Sequence, residues 1–187
     1  MTQKRIPKKK EEDLLYCLVR EFYNAIDPKL RTYCSLGARV VHAALTHYGL
    51  PARLVPCQLV GFTATKYCVV GFSGTPASGL WDGHVVCATE QWIVDTAVFN
   101  LQVGAGFKVP RVVMARLMIR GMASSLLSMH ALPSKTQLVW VAPQAGFDTT
   151  LPNDPQALVD ELAAKLIEHL DRILRISSMF KRSQTAA

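Results

Sequence analysis

Gly49-Leu50-Pro51 puts a firm stop on a helical stretch that opens with a cysteine, and it divides the chain into a helical part and a strand-rich part. Upstream, Leu36, Val40, Val41, Ala44, Leu45 and Tyr48 recur at helical spacing, so one face of the segment is built to be buried. Thr32 is the expected N-cap, Gly49 suits a left-handed position just past the last turn, and Pro51 cannot continue the helix. Cys34 therefore falls in the first turn, where unpaired N–H groups and the positive end of the helix dipole favour a thiolate. Its own N–H is the expected first donor to a developing oxyanion. A cysteine in such a place is more commonly a small buried residue than a nucleophile. The rest of the chain has to decide between the two.

Around this element, Glu11 to Ile26 reads as an amphipathic helix, with Leu14, Leu15, Leu18, Val19, Phe22 and Ile26 on its buried side. After Ala52, the stretches 54–60, 67–72, 84–89, 92–98 and 137–142 read as strands; Pro56 suggests an irregular or edge position for the first. Residues 73–80 and 143–154 read as loops, and 100–108 as a Gly-containing connection. A helix is expected over about 110–129, with Pro110 at its first position, and another from Pro155 to about Met179. The stripe Leu158, Leu162, Leu166, Leu170, Ile173 and Leu174 on the last helix suits packing on the body or a homodimer seam. Helices first and consecutive strands after them predict an α+β fold with an antiparallel sheet. One domain over 11–180, preceded by a basic, solvated tail over 1–10, accounts for the length.

Composition narrows the function classes. The net charge of +7 gathers at the ends, in Lys4, Arg5, Lys8, Lys9 and Lys10 and in Lys181 and Arg182, without interleaved aromatics or a recognition-helix pattern. Nucleic acid is therefore not the expected partner. The most apolar stretch, 109–132, is cut by Arg111, Arg116 and Arg120, so no membrane span is expected, and no secretory signal is read at the start. Five cysteines without a Cys-x-x-Cys pair argue against a disulfide framework and a zinc site, and for a reducing, cytoplasmic setting. No metal or organic cofactor is expected. His42 and His47 stand five apart without a companion glutamate, the wrong spacing for two ligands on one helix face. Gly104-Ala105-Gly106 follows no good strand, so it makes no nucleotide loop.

A nucleophilic cysteine needs a base and a group to orient it. If Glu90 and Gln91 turn the hairpin, Thr89 faces Trp92, Val86 faces Asp95 and His84 faces Ala97. His84 and Asp95 then share one face as diagonal neighbours, about 7–8 Å apart at Cα and within reach of an imidazole–carboxylate hydrogen bond. Each alone has a bland explanation, a satisfied core histidine or a solvated strand-end charge. Together with Cys34 they form a chain-ordered Cys–His–Asp set.

Cys34, Ala38 and Gly49-Leu50-Pro51-Ala52-Arg53, followed by Gly83-His84-Val85-Val86 and Trp92-Ile93-Val94-Asp95, resemble the signature of the transglutaminase-like branch of the papain-like superfamily. The leader peptidases of lasso-peptide maturation share this pattern. The match covers about a third of the chain, from Tyr33 to Val98. The resemblance implies a papain-like core with helices on an antiparallel sheet, Cys34 as nucleophile, His84 as base and Asp95 as orienter. It implies acyl transfer through a thioester, with a peptide, a protein or a small acyl donor as substrate. Gln58 and Trp81 are candidates for a second oxyanion donor and for groove lining, beside their plainer structural roles. The alternative from another class is a catalytically silent relative that binds a protein or an acidic partner.

Overall fold

In the computed structural model the described residues are 8–72, 74, 81–118 and 125–185. Four helices and seven strands follow in the order α1 (Lys8–Ala25), α2 (Cys34–His47), β1 (Arg53–Phe62), β2 (Tyr67–Val70), β3 (His84–Ala88), β4 (Trp92–Asp95), α3 (Asn100–Ala105), β5 (Val113–Arg116), β6 (Leu126–Ala131), β7 (Gln137–Val141) and α4 (Gln156–Thr185). A single 3-10 turn, Pro28–Leu30, joins α1 to α2. The fold is mixed, with helices against one antiparallel sheet of order β5-β4-β3-β1-β7-β6, and with β2 on β1. The sheet nearly closes on itself: Met118 N donates to Leu127 O at 2.8 Å and Ser128 Oγ to Arg116 O at 2.7 Å, tying the β5 end to the β6 end.

Strand alternation divides the core into two layers. Cys57, Leu59, Val86, Ala88, Ile93, Leu138 and Trp140 fill the inside of the curved sheet. Cys87, Trp92 and Val94 point outward, to meet Leu15, Leu18 and Phe22 of α1, Val41 and Leu45 of α2, and Leu166 and Leu170 of α4. Leu162, Leu166 and Leu170 of the expected C-terminal stripe are thus buried within the chain, joined by Val159 and Ala163, whereas Leu158 is exposed. Among the described residues no helix is long and apolar enough to cross a membrane.

The register of β1 explains the position of His84. Leu59 faces Val70 in β2, and Cys57 faces His84 in β3. Gly71, at φ +81°, lies against the backbone of Gly83 and His84, so β2 and β3 run end to end along one side of β1, interrupted by the 71–83 excursion. Phe72 N donates to Asp82 O at 2.9 Å and closes the neck of that excursion. His84 is the first residue after it, at the rim of the sheet.

Several expectations change. The helix over 110–129 is absent: Val113–Arg116 is strand β5 and Leu126–Ala131 is strand β6, while 119–124 lie outside the described residues. Val113 and Ala115 point inward and Arg116 outward over the Trp92 ring, a period of two, because β4 and β7 both offer open edges that pair better than a helix would pack. The connection at 100–108 holds the short helix α3, ended by Gly106 at φ +64°. Helix α1 begins at Lys8, inside the expected tail, and α4 runs on to Thr185; residues 1–7 lie outside the described set. Pro56, by contrast, has the open side expected of it, since among the described residues β7 pairs with β1 only from Gln58 onward. Its missing N–H is tolerated because, among the described residues, that half of β1 ladders with β3 alone.

Candidate active site

The outer helix α2 brings its first residue to the rim where β3 begins. Tyr33, not Thr32, occupies the N-cap position, and its side chain makes no capping hydrogen bond. Thr32 instead uses its carbonyl, which accepts from Cys34 N at 3.2 Å and from Asn100 Nδ2 at 3.3 Å. The Cys34 N–H is therefore engaged and does not stand free as an oxyanion donor, contrary to the expectation from its place in the helix. The stop is as read: Gly49 has φ +71°, and Leu50 N donates to Leu45 O at 2.9 Å.

Gly37 sets how closely α2 approaches the sheet. A Cβ there would collide with the side chain of Thr96, just beyond β4. Thr96 is itself fixed, since Tyr23 Oη donates to its carbonyl at 2.6 Å. One helical turn from Cys34, a glycine thus lets the helix tip sit directly on the strand that carries Asp95.

The hairpin has the counted register, with Ala88 facing Ile93 and Cys87 facing Val94. His84 and Asp95 consequently meet: Nε2 donates to Asp95 Oδ2 at 2.7 Å, with both side chains wholly buried. The carboxylate is fully engaged. Trp140 Nε1 donates to the same Oδ2 at 2.7 Å, and Ala97 N donates to Oδ1 at 2.8 Å. These bonds compensate a charge whose burial is otherwise costly. Nδ1 of His84 is buried without a hydrogen-bond partner among the described residues. Burial favours the neutral ring, but the charge and hydrogen bond of Asp95, followed by the nearby Cys34 sulfur, outweigh it and push the imidazole up to about 10.

Cys34 is 9% exposed, and its sulfur lies 3.9 Å from Gly83 O. Around it pack Ala38, Val85 and Ala97, with Leu54, Trp81 and Leu151 alongside. Trp81 packs against the cluster that contains Cys34; its ring lies against Gly83 and edge-on to Phe72 at 5.9 Å. Gln58 does not join the site. Its amide nitrogen donates to Phe72 O at 2.8 Å and braces the neck of the 71–83 excursion. Of the other thiols, burial raises Cys57 well above its ordinary value and pushes Cys87 up to about 12, while Cys17 and Cys68 lie part-way to the surface.

Sequence reasoning missed Trp140, which shares the Asp95 oxygen from a strand across the sheet. A tryptophan in an apolar strand carries no sign of its partner until strand order is known. It also missed Ser35, Arg39 and Asp154. Asp154 Oδ2 accepts from Ser35 Oγ at 2.5 Å and from Arg39 Nε at 3.2 Å, which pins the 143–154 loop to the turn that carries Cys34. Among the described residues no three His, Cys, Asp or Glu side chains gather as metal ligands.

The structure brings His84 and Asp95 together, with one imidazole nitrogen uncommitted among the described residues and the carboxylate held by three donors; the Cys34 sulfur lies 3.9 Å from Gly83 O and makes no hydrogen bond to His84. No family model, no curated protein and no solved structure matches the chain.

Proposed function

We propose that the protein is a cysteine-dependent acyl-transfer enzyme of papain-like, transglutaminase-like design, acting on an amide or ester through a thioester at Cys34. The observation that carries this reading is the buried His84–Asp95 pair, 2.7 Å long, with its second ring nitrogen buried and unpartnered among the described residues and the Cys34 sulfur 3.9 Å from the carbonyl of the neighbouring Gly83. In this reading the Cys34 proton passes to Nδ1, and the thiolate attacks the carbonyl carbon. The tetrahedral adduct collapses, the C–N or C–O bond breaks, and Nδ1–H protonates the leaving amine or alkoxide. Water or an amine then attacks the thioester, gives its proton to Nδ1, and the sulfur leaves. Asp95 orients the ring and stabilises its charged form throughout. Peptide amides are the preferred substrate class, because protonation of a poor leaving group is what a retained imidazolium supplies.

The test is turnover of activated p-nitrophenyl esters and N-acyl peptides by the wild type, Cys34→Ala and His84→Ala. Cys34→Ala is expected to abolish turnover with the fold intact, and His84→Ala to lower it by about 10²–10⁴-fold. Full activity in Cys34→Ala would sink the proposal. A second reading, a silent module that binds a protein or acidic partner, is favoured by the small exposure of Cys34, 9%. It requires that no thiol-dependent turnover be found with any acyl substrate.

A further inference from the structure

The apolar residues beside Cys34 form a small cluster of their own, completed by a side chain from a loop. Ala38 from α2, Leu54 from β1, Val85 from β3 and Ala97 after β4 meet Trp81 and Leu151 around the sulfur. Leu151 alone comes from the connection between β7 and α4, and it is only partly buried. That connection is fastened on both sides of it. Behind Leu151, Arg39 donates to Pro152 O at 3.0 Å and to Asp154 Oδ2 at 3.2 Å. Ahead of it, Phe147 sets its ring edge-on to Phe72 at 5.7 Å, and Thr150 N donates to Asp148 Oδ1 at 2.8 Å. A polar, Pro- and Gly-containing strap is thus held so that one leucine packs against the cluster that contains Cys34.

We propose that Leu151 stands in for substrate: the site takes an acyl group bearing an apolar side chain of about leucine size, which displaces Leu151 to bring its carbonyl carbon to Cys34. This rests on the reading of Cys34 as the nucleophile. The hydrophobic side chains packed about the sulfur, among the described residues, are aliphatic apart from one indole, so an apolar side chain finds like contacts there while a carboxylate or ammonium gives up its water to them. A leucine side chain loses only its contact with water. Trp81 Nε1 is buried and lacks a hydrogen-bond partner among the described residues, a donor that a backbone carbonyl of such a substrate would satisfy.

The experiment measures alkylation of Cys34 in the full chain by intact mass, using N-acetyl chloromethyl ketones of leucine, alanine, aspartate and lysine. The sulfur attacks the methylene carbon and chloride leaves. Rates are normalised to those with free cysteine, and iodoacetamide reports the bare thiol. The leucyl reagent should react at least about 10-fold faster than the aspartyl and lysyl reagents. Leu151→Ala should speed the leucyl reagent several-fold more than it speeds iodoacetamide, and Leu151→Met should resemble the wild type. Equal rates for all four side chains, or no response to Leu151→Ala, would overturn the pocket while Cys34 still outpaces the other thiols with iodoacetamide. If iodoacetamide itself shows no preference for Cys34, the nucleophile reading fails and the pocket falls with it.

Discussion

The indole N–H of Trp140 donates to Asp95 Oδ2 at 2.7 Å, the same oxygen that receives Nε2 of His84. A carboxylate that serves two donors on one oxygen, and Ala97 N on the other, cannot rotate without breaking a buried bond. Trp140→Phe keeps most of the ring volume and removes one donor. It should lower stability by about 2–4 kcal/mol, combining a lost charge-assisted hydrogen bond with a small cavity. Urea unfolding at fixed pH reads this; no loss would mean the bond holds nothing in place.

Asp95→Asn keeps the shape and removes the charge that raises the His84 pKa. With burial then favouring the neutral ring, the imidazole should fall to or below its ordinary value of about 6.5, and turnover by Cys34 should fall by about 10²–10⁴-fold. An NMR titration of the His84 ring in both proteins checks the first part independently of any substrate. A ring that titrates identically in the two would show that Asp95 does not set its protonation.

The pH dependence of stability has a definite sign. The folded pKa of His84, about 10, lies above its unfolded value, so its contribution is fully present below about 6.5 and is lost as pH rises towards 10. The measurement belongs in a Cys34→Ala background, where no thiolate can offset the imidazolium; the larger raising causes, the charge and hydrogen bond of Asp95, remain there, while the smaller ones from the sulfur are gone. Between pH 6.5 and 8.5, the unfolding free energy of Cys34→Ala should fall by at most about 1.4 kcal/mol per pH unit, more steeply than that of Cys34→Ala/His84→Gln. Parallel slopes would contradict a charged His84 in the fold.

Gly37→Ala sets two effects of opposite sign against each other. Alanine raises helix propensity by about 1 kcal/mol, but its Cβ would overlap Oγ1 of Thr96 and crowd its Cβ at 3.1 Å, and turning the Thr96 side chain relieves only the first. Overpacking costs about 1–3 kcal/mol, so net destabilisation is expected, together with slower alkylation of Cys34 as the helix tip moves off the rim. A stabilised variant with unchanged labelling would show that the approach of α2 does not matter.

How much of this was legible depended on whether the information was local. The span of α2, its stop at Gly49 and the hairpin register of His84 against Asp95 are set by neighbours in sequence, and residue counting reached them. The two strands inside 110–131 were misread as a helix because Val112, Val113, Met114 and Leu117 satisfy a helical stripe as well as a strand. What decides is that β4 and β7 need partners, which only the assembled sheet reveals. The same holds for the site. Trp140 and Asp154 reach it from 45 and 119 residues away, through strand order and through a loop without periodicity. Gln58 looked free because the carbonyl it serves, on Phe72, becomes its neighbour only when β2 lies along β1.

The most direct test is the rate of iodoacetamide labelling at each cysteine near neutral pH, read by peptide mass in the wild type and in His84→Ala. Cys34 should label faster than the part-exposed Cys17 and Cys68 despite its own burial, with Cys57 and Cys87 slowest, and its lead should vanish in His84→Ala. If Cys34 labels no faster than Cys17 and Cys68, or if its rate is indifferent to His84, the sulfur and the imidazole do not work together and the enzyme reading is contradicted.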